Sequence, residues 1–233
     1  MHTGKGQVVE LVLQDGFRLA RIACAADLVP SLGQYLLASA ASFMDPLPVS
    51  LYSTESTPRG VMMEAWSQFI AAAPIPETWM PGTELALRGP LGRGFSLSPT
   101  AGKVALVPFD DSSARLRGLI QPALAQGAAV VLLSDSDGEH LPDEVEVQPL
   151  SVLEDILSWA DYIAFDVSRE SLPELRERFR GKYHSSGKGE AQVLIYAPVP
   201  CGGIADCGVC SVNLKSGWRL ACKDGPVFDL GEI

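Results

Sequence analysis

The stretch KVALVPFDDSSARLRGLIQPALAQGAAVVLLS (103–134) decides how this chain folds. KVALVPF (103–109) and AAVVLLS (128–134) are short, continuous apolar runs and read as strands buried on both faces. Between them SSARLRGLIQPALAQG (112–127) has helical spacing, interrupted near Pro122, with Ser112 or Ser113 as its N-cap. A strand, helix and strand whose strands show no polar face are the pattern of a parallel α/β sheet. The same pattern continues downstream. SVLEDILSWA (151–160) reads as helix, YIAFDV (162–167) as strand, LPELRERFRG (172–181) as a helix ended by Gly181, and AQVLIYAP (191–198) as strand. An α/β domain is therefore predicted over residues 98–198.

Upstream the period shortens. VVELVL (8–13) and FRLARIAC (17–24) flank Gln14-Asp15-Gly16, a hairpin signal. Further strand-like runs are GQYLLAS (33–39), PVSLYS (48–53), GVMMEAW (60–66) and TELALRG (83–89), while the proline-rich AAAPIPETWMPG (71–82) reads as a loop. Regular punctuation by Gly and Pro suits a small antiparallel β-barrel or sandwich over residues 1–97.

The composition bounds the function. Of 233 residues, 18 are Lys or Arg and 28 are Asp or Glu, a net charge of −10 that argues against nucleic-acid binding. With 47% hydrophobic and 20% charged residues the chain is a folded globular protein. Neither a signal peptide nor an apolar run of spanning length is visible, so no membrane insertion and a cytoplasmic, reducing location are expected.

The five cysteines are unevenly placed. Cys24 lies in an alternating strand and reads as a small core residue. The other four fall in residues 199–233, spaced Cys201-x5-Cys207-x2-Cys210-x11-Cys222 among glycines. Four thiolates on a short glycine-rich loop suit a compact metal centre, because glycine lets backbone N–H groups turn toward sulfur. Plant-type [2Fe–2S] loops use C-x4-C-x2-C and a more distant cysteine, one residue shorter in the first gap. Structural zinc more usually shows two close cysteine pairs, and only Cys207/Cys210 has that spacing. Both metals remain open on spacing alone.

Cys222-Lys223-Asp224-Gly225-Pro226-Val227-Phe228, with the three upstream cysteines, resembles the C-terminal end of the dihydroorotate dehydrogenase electron-transfer subunit family. That family lies within the ferredoxin–NADP reductase-like superfamily. PGTELALRGPLGRGF (81–95) looks like the end of that family's barrel, and GQYLLAS followed by PVSLYS is a weaker match. The resemblance implies a flavin-binding barrel, a nucleotide-binding α/β domain and a [2Fe–2S] segment with Cys201, Cys207, Cys210 and Cys222 as ligands. It further implies a catalytic oxidoreductase partner, a flavin-containing dihydroorotate dehydrogenase-like subunit of pyrimidine biosynthesis.

Three departures qualify these expectations. The family's flavin strand reads Arg-Pro-x-Ser, with Arg on the flavin phosphates, where this chain has Leu47-Pro48-Val49-Ser50. Pro48, Ser50 and Tyr52 are the residues left as FAD candidates. The following Gly-Thr pair has no counterpart in SQFIAAAPIPETWMP (67–81), and the glycine-rich nucleotide turn is replaced by LVPFDDSSARL (106–116). Asp110 and Asp111 would repel a pyrophosphate there, so NAD(P) binding is not expected. The leading expectation is an iron–sulfur electron-transfer subunit rather than a stand-alone enzyme. A complete NAD(P)H–flavin reductase and a zinc-stabilised, non-redox interaction subunit are the alternatives. His2, His140 and His184 read as surface or structural residues, and Trp218 as a candidate shield over the cysteine loop.

Overall fold

The computed structural model describes residues 2–14, 16–41, 47–55, 67–72, 74–110, 112–135, 141–179 and 189–233. Its first six strands are β1 (His2–Gln14), β2 (Phe17–Cys24), β3 (Tyr35–Ala40), β4 (Val49–Ser53), β5 (Ser67–Ala72) and β6 (Glu84–Leu91). They close into an antiparallel barrel in the order β1-β2-β5-β4-β3-β6, leaving no free sheet edge. Alternation does the work: along β2, Leu19, Ala20, Ile22 and Cys24 are buried, and they pack with or beside Leu36, Leu51, Phe69 and Trp79. Gln14 pairs with Phe17 across the predicted hairpin. The expected strand at 60–66 lies outside the described residues. The adjoining SQFIAA, whose Ala71 and Ala72 fall at the start of the stretch read as a loop, supplies β5, with Phe69, Ala71 and Ala72 buried.

The second sheet contains β7 (Lys103–Pro108), β8 (Ala129–Leu133), β9 (Val145–Gln148), β10 (Tyr162–Ser168) and β11 (Glu190–Tyr196). These five are mutually parallel in the order β9-β8-β7-β10-β11, with α1 (Ile120–Ala125), α2 (Leu153–Trp159) and α3 (Leu172–Phe179) in the connections. Val104 and Leu106 meet Leu116, Leu119 and Ile120 on one face, while Ala105 and Val107 meet Leu153, Leu172 and Leu175 on the other. The strand order reverses between β7 and β10. Helix α1 departs from expectation at its start. Pro122 sits in its first turn, where a missing N–H leaves no hydrogen bond broken. Neither Ser112 nor Ser113 is the N-cap: that position is Leu119, with no side-chain cap. The Ser113 carbonyl instead accepts from the N–H groups of Leu116 and Arg117 in a preceding turn. VEVQ (145–148) forms β9 although its Glu and Gln hid it from the apolar pattern.

The last segment is tied to both domains. It contains a two-stranded ribbon, β12 (Ser211–Leu214) and β13 (Gly217–Leu220), then a single helical turn α4 (Ala221–Asp224) and β14 (Val227–Asp229). Strand β14 joins the second sheet antiparallel to β11, so that sheet is mixed and extends past residue 198. The two stretches that carried the family resemblance touch each other. Arg93 N–H donates to the Gly225 carbonyl, and Arg93 bridges Pro226. Gly92 has φ +76°, and a Cβ there would sit 2.5 Å from Pro226 and 2.6 Å from the Gly225 oxygen. Only glycine fits. Tyr35, Leu37 and Tyr52 from the barrel thus share one core with Cys210, Cys222 and Phe228. Among the described residues no helix is long and apolar enough to cross a membrane.

Candidate metal centre

The four C-terminal cysteines lie where the barrel, the α/β sheet and the last segment meet. Residues 201–203 rest on the barrel: Arg88 Nη1 donates to the Gly202 carbonyl at 2.7 Å. A Cβ on Gly203, whose φ is +72°, would come within 3.1–3.3 Å of Leu91, the Tyr35 hydroxyl and Leu37. From the other side, Arg169 donates to the Val209 carbonyl and Arg176 to that of Asn213. The Tyr35 hydroxyl, deep in the interface, donates to the Cys222 carbonyl at 2.9 Å. The loop carrying the thiols is therefore held by both domains.

The thiols approach one another in two pairs. Cys201 is hydrogen-bonded to Cys207, and Cys222 to Cys210. Burial alone would raise the Cys201 thiol, but hydrogen bonds from Cys207 and from the backbone N–H groups of Asp206, Cys207 and Ile204 outweigh it. The result is a value near 6, so Cys201 is ready to bind as thiolate at neutral pH. Cys222 is pushed up to about 12, first by burial, then by its bond to Cys210 and the charges of Cys210 and Cys201, with the Ala205 N–H opposing. A bound cation reverses that like-charge penalty. Ala205 has φ +62°, unusual for a residue with a Cβ, and Gly202, Gly203 and Gly208 also have positive φ. These turns direct N–H groups toward sulfur.

This donor set fits a metal cluster. Among the described residues, no three His, Cys, Asp or Glu side chains converge where a single ion could be held. Four thiols gathered on one glycine-rich segment suit a soft-metal centre. Cys210 and Cys222 face the interior, whereas Cys201 is half-buried and Cys207 exposed. Cys24, by contrast, is sealed in the barrel, and burial followed by the Asp27 charge raises its thiol to about 12.

The flavin candidates are placed differently. Pro48 is half-buried, Ser50 is buried and Tyr52 is 2% exposed, so the three line no open groove. Leu47, where the resemblance asked for a phosphate-binding Arg, is an exposed apolar side chain. Among the described residues, these candidates present no exposed ring or cation to a flavin. At the expected nucleotide turn, the Asp110 carboxylate accepts the Ser168 N–H, closing the carboxyl ends of β7 and β10 together. Asp111, His140 and His184 lie outside the described residues. His2 pairs with Asp27 at 3.1 Å on the surface. Trp218 is 69% exposed and lies outside the core that holds Cys210 and Cys222. Tyr35, Arg88, Arg169 and Arg176 were not foreseen as supports of the loop. Their roles depend on contacts up to 187 residues apart, for which local sequence holds no signal.

The comparisons agree with this arrangement. Residues 201–233 match the iron–sulfur cluster binding domain of dihydroorotate dehydrogenase B. The electron transfer subunit of dihydroorotate dehydrogenase B (NAD(+)) from Clostridium perfringens is 26% identical over 170 residues, covering 65% of this chain and 67% of the relative. Among solved structures, the NADH-dependent reduced ferredoxin–NADP oxidoreductase superposes with a TM-score of 0.65 at 17% identity, over 97% of this chain and 88% of its own. Phthalate dioxygenase reductase gives 0.60 at 9% identity, over 94% of each chain. At those identities the structural likeness speaks to fold.

Proposed function

We propose that this chain is an iron–sulfur electron-transfer subunit similar to that of dihydroorotate dehydrogenase B, and that it holds a [2Fe–2S] cluster on Cys201, Cys207, Cys210 and Cys222. The observation that carries this reading is the gathering of the four thiols on one glycine-rich segment, Cys201 with Cys207 and Cys210 with Cys222. Such a centre, when bound, takes up and returns one electron. The chain's own part is to hold the sulfurs as thiolates, to aim the N–H groups of Ile204, Ala205 and Asp206 at them, and to keep the Cys210/Cys222 side dry. Hydrogen bonds to sulfur and solvent exposure then set the potential.

The partner in this reading is the catalytic subunit of an oxidoreductase, a flavin-containing dihydroorotate dehydrogenase-like protein. Cys207 is exposed between Ile204, 57% exposed, and Val209, 39% exposed. Apolar side chains around the only solvent-facing cysteine suit a surface that another protein covers during electron transfer. Protein purified without oxygen should show the visible bands of a [2Fe–2S] centre, bleached by dithionite, with about two irons and two inorganic sulfides per chain. A colourless protein with stoichiometric zinc overturns the proposal.

A further inference from the structure

In open α/β sheets, ligands bind in the crevice outside the carboxyl ends of the strands, where strand order reverses. Here that point lies between β7 and β10, facing the barrel, and it is filled by the chain itself. Asp166, near the end of β10, is 1% exposed, and Arg115 Nε donates to both its carboxylate oxygens at 3.0 and 2.8 Å. The Arg115 guanidinium lies 4.7 Å from the centre of the Tyr196 ring. Tyr196 meets Tyr52 edge-on at 6.2 Å, and Tyr52 lies 5.9 Å from Tyr35. The turn that would have to give room to a pyrophosphate packs on the barrel instead. A Cβ on Gly118 would collide with Leu32 and would lie 3.5 Å from the backbone of Thr54 and Glu55.

We propose that Arg115, Asp166, Tyr52 and Tyr196 are a built-in plug of the nucleotide crevice, which leaves the metal centre one port for electrons, the exposed Cys201/Cys207 side. The argument is electrostatic as well as steric. To admit a dinucleotide, the domains would have to separate, stranding a buried carboxylate and a largely buried guanidinium. The entering diphosphate would then face Asp110 and Asp166, with no glycine-rich turn to receive it. The plug is also continuous with the centre, since Tyr35 joins Tyr52 to the Cys222 carbonyl. Tyr35, which packs against the plug through Tyr52, therefore also holds the backbone of the buried thiol pair. With a single port, donor and acceptor proteins must use the same face in turn, and the chain works as a shuttle rather than as a wire from a bound nucleotide.

The proposal rests on the cluster reading, and the experiment separates the two. The intact protein is purified anaerobically with its metal, and any flavin is released by heat and measured by fluorescence. The cluster bands are followed first with NADH and then with dithionite. The plug predicts no stoichiometric FAD and no bleaching by NADH, against full bleaching by dithionite. Bound FAD or NADH-driven bleaching overturns the plug while leaving the cluster intact; absence of iron overturns the cluster reading instead. The port is tested by stopped-flow oxidation of the dithionite-reduced protein, each reduced centre giving one electron to one ferricyanide. Ile204→Lys, beside Cys207, should speed this oxidation up to about tenfold at low ionic strength, because ferricyanide is an anion. Glu55→Lys, on the exposed crevice side by Gly118, should leave the rate unchanged. Equal acceleration by both substitutions overturns the single port.

Discussion

The cysteine segment and the switch-point crevice lie in one continuous interface, yet they are built by opposite rules. The first gathers groups that repel one another until something is added: four thiols, backbone N–H groups aimed at sulfur, and left-handed backbone at Gly202, Gly203 and Ala205. The second gathers groups that already satisfy each other: a carboxylate with a guanidinium, an aromatic ring beneath that guanidinium, and a main-chain N–H on Asp110. A site that is incomplete without a ligand is a binding site, whereas a complete one is structure. The fold alone would have assigned a ligand to both.

Substitution at the buried thiol pair should break this contrast most severely. Cys222→Ser removes a ligand from the side that water cannot reach, so no solvent can take its place. Visible absorption and iron content should both be almost abolished. Cys207→Ser, at the exposed corner, should leave a partially loaded and oxygen-sensitive protein. Cys24→Ser should change neither quantity, and in the native wild type Cys24 should resist thiol reagents, since burial pushes its thiol up to about 12. Equal loss of iron from Cys24→Ser and Cys222→Ser would remove the distinction drawn between core and ligand cysteines.

The crevice should respond in stability rather than in metal content. Arg115→Ala leaves Asp166 buried without its partner, and burial raises that carboxyl's pKa. Loss of one member of a buried pair costs about 3–5 kcal/mol. Replacing both, as Arg115→Met with Asp166→Leu, should recover most of that loss, because apolar side chains of similar volume need no partner. Denaturant unfolding of the single and double variants measures the difference. If the double variant is no better than Arg115→Ala, the pair is not acting as a self-satisfied unit.

Tyr35 is where the two regions meet, and its effect should be smaller. Tyr35→Phe keeps the ring between Tyr52 and the cysteine segment but leaves the buried Cys222 carbonyl without its donor. An unsatisfied buried acceptor costs about 1–3 kcal/mol. Unfolding midpoints and the spectrum of the reduced centre should both shift, the spectrum slightly, because the hydrogen bond reaches the ligand's carbonyl and not its sulfur. A spectrum unchanged alongside an unchanged stability would mean that Tyr35 does not couple barrel to centre.

What the sequence revealed of this arrangement follows the range of the forces involved. Most of the α/β strands were legible because they are apolar along nearly their whole length, and the barrel because Ala20, Ile22 and Cys24 alternate with the half-buried Arg21 and Ala23. The cysteines were legible as a set because twenty-two residues contain all four of them. Their pairing was not, since it depends on how the loop turns at Ala205 and the glycines. The Arg115–Asp166 plug was hidden for a different reason. Arg115 reads as one charge in the predicted helix and Asp166 as a polar break in an apolar strand, and only the register of β10 on β7 brings that break to the crevice. Asp110 was recognised as hostile to a phosphate, but its actual role on Ser168 required the neighbouring strand to be known.

The weakest expected effect tests the outer face of the same segment. Trp218 projects from β13, 69% exposed, beside Arg219 and away from the shared core. An exposed aromatic on a two-stranded ribbon adds little to the fold, so Trp218→Ser should change stability by no more than about 0.5 kcal/mol. It should also leave iron content and the visible spectrum as in the wild type, since no cysteine depends on it for shelter. The reason to make the substitution is the contrast with Tyr35: both are aromatic, both belong to the cysteine region, and only one is tied to a ligand's backbone. If Trp218→Ser loosened the metal centre as much as Tyr35→Phe, the centre would be held from its surface and not from the barrel, and the inner interface would lose the role assigned to it here.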